Sequence, residues 1–287
     1  MTSVLIATLT LGQSALLPPG PSKLDLTVKG TALEVFCYKP KTYLGGRMIM
    51  VFHGTLRNAD EYRDHAQAMG ERFGALIVAP KFDSERFPSI KYQRGGILRP
   101  DGKAAPKEEW TYSYIPVIAN EVRAREGRPR MPYYLIGHSA GGQFVIRMAG
   151  FMDTGAERLV AANPGSDLFP TRDMNFGYGF GNLPPELSND EVIRRYLAQP
   201  LTIYLGSADD HPDEYFDGSA EAMRQGPGRF QRGVECFRRG QALARERGWP
   251  FNWTLVIARM VPHDHELMFN HPNAELALFG RYLRPAR

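Results

Sequence analysis

The stretch YYLIGHSAGGQF, residues 133–144, runs a strand-like apolar segment into a serine set among glycines: Gly137 two before Ser139, Gly141 two after, and Gly142 directly behind. A strand gains nothing from glycine, which packs no side chain and costs backbone entropy. The spacing G-x-S-x-G therefore calls for a turn too sharp for side chains on either flank. That is the pattern of a nucleophile elbow, in which a strained serine between strand and helix lifts its hydroxyl over the sheet edge. The helix that follows aims its first amides at the same point, where negative charge would develop. The competing reading is a glycine-rich turn that cradles phosphate, but neither G-x-G-x-x-G nor G-x-x-x-x-G-K-S/T occurs here.

On either side of this stretch, short apolar runs alternate with helical patterns, which argues a mostly parallel sheet of eight strands with helices on both faces. The spacing predicts strands at 24–28, 33–38, 47–52, 75–80, 133–137, 158–162, 201–206 and 251–258. The first two, separated by Lys29-Gly30-Thr31, read as an antiparallel hairpin at the sheet edge. Helices fit 58–73, 107–126, 140–152, 228–247 and 264–283, the first opening on Asn58 with Glu61 three residues on as a capping pair. The chain of 287 residues reads as one domain with a loop or cap insertion at about 165–200. Two irregular stretches, 83–106 and 165–185, follow strands and so belong at the carboxyl edge, where open α/β sheets bind ligands.

A serine hydroxyl needs a base that is itself oriented by a third group. After an elbow the chain order is serine, acid, histidine. IYLGSADDHP ends a strand at Gly206 and offers Asp209 and Asp210; VIARMVPHDHELMF ends the last strand and offers His263 and His265. His263 is the better base, because Asp264 can cap the final helix and draw His265 into its first turn. His-x-His is also a metal-ligand spacing, but no further cluster of metallohydrolase type accompanies it, so the expectation is no metal and no cofactor. His211 reads as a loop histidine. Asp209 is preferred to Asp210 because it stands where the strand turns across the sheet edge. The remaining oxyanion donor belongs after the third strand, in MIMVFHGTLRNADEY, where His53-Gly54 frees the Thr55 amide to act beside that of Ala140. His53 itself reads as structural.

With the FHG turn, the GHSAGG elbow, LGSADD and VPHDHELMF in this order, the chain resembles the α/β-hydrolase superfamily over nearly its whole length. Within it, it is most similar to polyhydroxybutyrate-depolymerase-like and feruloyl-esterase-like bacterial hydrolases. These carry an H-G-x-x-x-N turn like that from His53 to Asn58 and a G-x-x-D segment like that from Gly206 to Asp209. The resemblance implies Ser139 as nucleophile, Asp209 as acid, His263 as base, and the Thr55 and Ala140 amides as oxyanion donors. It implies a serine carboxylesterase acting on a small ester. The alternatives are a peptidase of the oligopeptidase type and a non-catalytic receptor on the same fold.

Composition narrows the partners. A net charge of +4 with dispersed basic residues and no aromatic–basic interleaving argues against nucleic acid. No apolar run is long enough to argue a membrane span. The apolar N-terminal run lacks a basic start and a clear small-x-small site, so the reading leans to the cytoplasm with export left open. Cys37 and Cys236, far apart and without ligand spacing, read as buried small hydrophobes. Phe169, Phe176, Tyr178 and Phe180 in one long loop, and Tyr92 with Arg94 in the other, are read as walls of an apolar pocket or as loop packing. Oligomeric state is not legible.

Overall fold

Each of the eight apolar runs becomes a strand of one sheet. The computed structural model describes residues 16–281; the apolar stretch 1–15 lies outside them. The strands are β1 (Gly20–Val28), β2 (Thr31–Lys39), β3 (Met48–Phe52), β4 (Leu76–Pro80), β5 (Tyr133–His138), β6 (Arg158–Ala162), β7 (Leu201–Gly206) and β8 (Thr254–Ala258). They lie in the order β1-β2-β4-β3-β5-β6-β7-β8. β2 pairs antiparallel with β1 and β4, and every other pairing is parallel. The β1–β2 turn is Lys29-Gly30, both with positive φ (51° and 78°), as a tight two-residue hairpin requires. β3, β4 and β7 are buried at every position, so they read as unbroken apolar runs rather than alternating ones.

The helices are α1 (Ala59–His65), α2 (Gln67–Phe73), α3 (Tyr114–Arg125), α4 (Ala140–Phe151), α5 (Pro185–Ser188), α6 (Asp190–Leu197), α7 (Ala220–Met223), α8 (Arg229–Arg247), α9 (His265–Asn270) and α10 (Ala274–Phe279). From β2 onward, alternate side chains of each strand feed two separate cores. Met48, Met50 and Phe52 of β3 join the core shared with α3, α4, α6 and α8. Ile49 and Val51 join the core under α1, α2, α9 and α10. The strand period of two thus sets up a three-layer α/β/α stack.

Three helices depart from their expected bounds. The helix expected at 264–283 breaks after Asn270, because His271 takes the extended conformation favoured before Pro272 (ψ 144°) and α10 then ends on left-handed Gly280. The one expected at 107–126 becomes α-helical only from Tyr114, since Pro116 has no N–H to donate and is tolerated only in a first turn. The one expected at 58–73 is interrupted at Ala66, and Asn58 makes no side-chain cap; its amide instead donates to Glu61 Oε2 at 2.7 Å. β8 starts at Thr254 rather than 251, the Asn252 amide being drawn off to the Leu197 carbonyl. Both cysteines are free and buried. No helix among the described residues is long and apolar enough to cross a membrane.

Candidate active site

Ser139 joins β5 to α4 in a conformation that L-residues rarely adopt, φ 57° and ψ −118°. The flanking glycines are explained by close approach. A Cβ on Gly137 would fall onto the Gly141 carbonyl, and one on Gly141 onto the Phe52 carbonyl of β3. The turn is anchored by the Ser139 amide donating to the Ala162 carbonyl of β6 (3.1 Å) and by the Gln143 amide donating to the Ser139 carbonyl (2.9 Å). Such strain persists only where its surroundings over-determine it.

Two more strands deliver the partners. The Ala208 amide donates to the Val261 carbonyl at 3.0 Å, zipping the loop after β7 to the loop after β8. Asn163, buried at the end of β6 with φ 40°, stitches the same loops: its side chain accepts from the Gly206 amide (2.7 Å) and donates to the Pro262 carbonyl (3.3 Å). Asp209 Oδ2 consequently lies 2.8 Å from His263 Nδ1, with the carboxylate 1% exposed and the imidazole 17%. Asp210 points away, its carboxylate 3.3 Å from exposed His211. Ser139 and His263 share an open cleft of about 170 Å³ with Thr55, Tyr62, His138 and His265. Ala140 is the first residue of α4 behind the serine. Gly54, before Thr55, packs so closely that a Cβ there would be 2.7 Å from the Tyr62 hydroxyl and 3.8 Å from Ser139 Cβ.

No family model and no curated protein sequence matches this chain. Among solved structures, it is 33% identical to a poly(aspartic acid) hydrolase from Sphingomonas sp. KT-1, with a TM-score of 0.82 over 88% of this chain and 96% of that one. It is 31% identical to LpqC, a poly(3-hydroxybutyrate) depolymerase from Bordetella parapertussis, with a TM-score of 0.83 over 93% of each chain. The chain belongs to the polyhydroxybutyrate-depolymerase-like α/β-hydrolases. A siderophore hydrolase from Aspergillus nidulans, at 13% identity and a TM-score of 0.54, shares the α/β-hydrolase fold alone.

In this α/β-hydrolase the candidate acid has a partner that the sequence did not reveal. Arg229, first residue of α8, donates to Asp209 Oδ1 (3.2 Å) and forks onto Asp213 (2.8 and 2.7 Å). Arg229 and Asp209 are each about 1% exposed, so the pair is desolvated. Removing one member of such a pair costs about 3–5 kcal/mol, because the other charge is left buried and alone. Arg229→Met should therefore lower the thermal midpoint by several degrees, with Arg229→Lys recovering part of the loss; an unchanged midpoint in calorimetry would show that Arg229 carries no such load.

The surrounding histidines are held neutral. Burial pushes His53 down to about 3; its Nδ1–H donates to the Gly54 carbonyl (3.0 Å) and its Nε2 accepts from the Phe82 amide (3.0 Å), a structural role as expected. His138, tilted against His263 at 4.5 Å between ring centres, is pushed well below the ordinary imidazole value by burial and by the neighbouring His263 and His265. His265 stacks on Tyr62 at 3.9 Å and falls to about 4, chiefly through burial.

The residues expected to wall the pocket go elsewhere. Tyr92 and Phe169 are fully buried and Phe176 is 9% exposed, so all three are interior packing rather than walls of the Ser139 cleft. Tyr92 donates its hydroxyl to the His53 carbonyl at 2.8 Å and stacks on that ring, holding the strand end that precedes Thr55. Tyr178 and Arg94 face a separate polar cavity. The pairing of His263 with His265 as ligands does not form, since His263 turns to Asp209. His265 instead meets Glu61 and His65, whose donor atoms all lie within 4.8 Å of one another, a set able to hold a divalent ion.

Proposed function

We propose that this hydrolase cleaves carboxylic esters through an acyl-enzyme formed on Ser139. The Ser139 hydroxyl attacks the carbonyl carbon while His263 Nε2 takes its proton, and the oxyanion is held by the Thr55 and Ala140 amides. Collapse expels the alcohol, which receives the proton back from His263. Water then repeats the sequence and releases the acid. Asp209, accepting from His263 Nδ1–H, fixes the tautomer and stabilises the imidazolium. The observation that carries this reading is the 2.8 Å contact between buried Asp209 and His263, on the cleft that also holds the strained Ser139.

The cleft is small and open, so short soluble esters should be preferred. A series of 4-nitrophenyl esters from acetate to decanoate should give its highest kcat/KM among the short acyl chains; a maximum at decanoate would contradict this. Poly(aspartic acid), the polymer hydrolysed by the Sphingomonas relative, is joined by amide bonds, which favours a second reading, amide hydrolysis by the same residues. Paired ester and amide substrates of one acid separate the two.

Nothing in this mechanism uses a metal. Prolonged EDTA treatment should leave turnover unchanged. A proportional loss restored by zinc would transfer the chemistry to the Glu61, His65 and His265 group.

A further inference from the structure

Beside the Ser139 cleft lies a second cavity of about 450 Å³, and Tyr215 lines both. Its wall carries two arginines, Arg94 and Arg147, together with Gln93, Gln143 and Ser166. Taking the Ser139 reading as its basis, we propose that this cavity is a carboxylate subsite, and that the preferred esters carry a free carboxylate roughly one helical turn from the bond cleaved.

The placement follows from α4. Ser139 stands at the N-terminal end of α4, and Gln143 and Arg147 follow it at intervals of four on one face of the helix, each step rising about 6 Å. Helical side chains lean toward the N-terminus. The Arg147 guanidinium accordingly reaches back to Gln143 Oε1 (2.8 Å), about one turn from the serine. Its other bonds go to neutral acceptors, the Ser166 hydroxyl (2.9 Å) and the Gly177 carbonyl (3.0 Å). Among the described residues neither Arg94 nor Arg147 has a carboxylate within ion-pair distance. An acyl chain of about four to six carbons spans that ~6 Å rise.

Neither of the acids nearby, Asp217 and Asp167, forms an ion pair with these arginines. Asp217, on the same wall, accepts from the Tyr178 hydroxyl (2.8 Å) and the Ser219 amide (3.0 Å). Asp167 is fully buried with neither carboxylate oxygen hydrogen-bonded, and burial raises it to about 7. Burial, with a smaller contribution from the nearby Arg94 charge, brings Arg147 down to about 10. Two guanidinium groups facing one polar cavity gain most from a shared anion. Gln93, on the same wall, has a buried side-chain oxygen without a hydrogen-bond partner.

The test compares charged and neutral esters of equal length. 4-Nitrophenyl hydrogen adipate against 4-nitrophenyl hexanoate places the carboxylate on the acyl side; 6-acetoxyhexanoate against hexyl acetate places it on the alcohol side. At least one pair should favour the acid by about 10–100-fold in kcat/KM, carried by KM, as charge-assisted hydrogen bonds of this kind warrant. Arg94→Gln should bring that ratio toward unity and Arg94→Lys should restore part of it. Equal rates within both pairs, or an Arg94→Gln loss shared equally by acid and neutral ester, would overturn the subsite. If no ester of any kind is hydrolysed, the esterase reading falls, and calorimetric titration with adipate then decides the subsite alone. Binding that Arg94→Gln abolishes sustains it; no heat from wild-type protein rejects it.

Discussion

Ser139→Ala is expected to lower kcat for ester hydrolysis by about 10⁴–10⁶-fold, the scale on which removing a nucleophile acts in serine hydrolases. The loss is chemical rather than structural. Ser139 makes no side-chain capping bond to α4, and its left-handed backbone is imposed by neighbours that remain. Alanine loses a hydroxyl and nothing else, so thermal stability should stay within about 1 kcal/mol of wild type. What survives would come from the oxyanion donors and binding alone. Activity within tenfold of wild type in the purified variant would show that Ser139 is not the nucleophile.

Asp209→Asn should reduce kcat by roughly 10⁴-fold, because an amide can present an N–H to His263 Nδ1 and favour the wrong tautomer. Asp210→Asn should change kcat by less than about tenfold, since it disturbs only an exposed contact with His211. The two residues are adjacent, yet one is sealed between His263 and Arg229 and the other is in water. The Asp209 variant also leaves Arg229 short of one carboxylate, so a stability loss should accompany the kinetic one and be absent at Asp210. The reverse kinetic pattern would move the acid to Asp210.

The inner strands were legible because parallel, doubly covered strands read as continuous apolar runs, as β3, β4 and β7 do, whereas β1 and β2 were legible as a hairpin about Lys29-Gly30. Gly137 and Gly141 were legible because no side chain fits where two carbonyls stand. Helix ends were less so: Pro116 and Pro272 lie inside patterns whose apolar spacing continues past them, and the missing N–H overrides that spacing. Arg229 and Asn163 escaped notice because each acts across the sheet edge on residues at least 16 positions away, and no local pattern marks such a pairing. The aromatics Tyr92, Phe169 and Phe176 had the composition of a pocket wall, but composition does not say which way a ring faces. Glu61 and His65 are one helical turn apart on α1, a visible spacing, but His265 joins them only once α9 packs there.

As a nucleophile activated by His263, Ser139 should react covalently with a fluorophosphonate. Incubation with a fluorophosphonate, followed by intact mass measurement and peptide mapping, tests it most directly. A single adduct is expected, on the peptide containing Ser139, lost in Ser139→Ala and strongly slowed in His263→Ala. An absent adduct, or one on another residue while ester hydrolysis is fully inhibited, would contradict it.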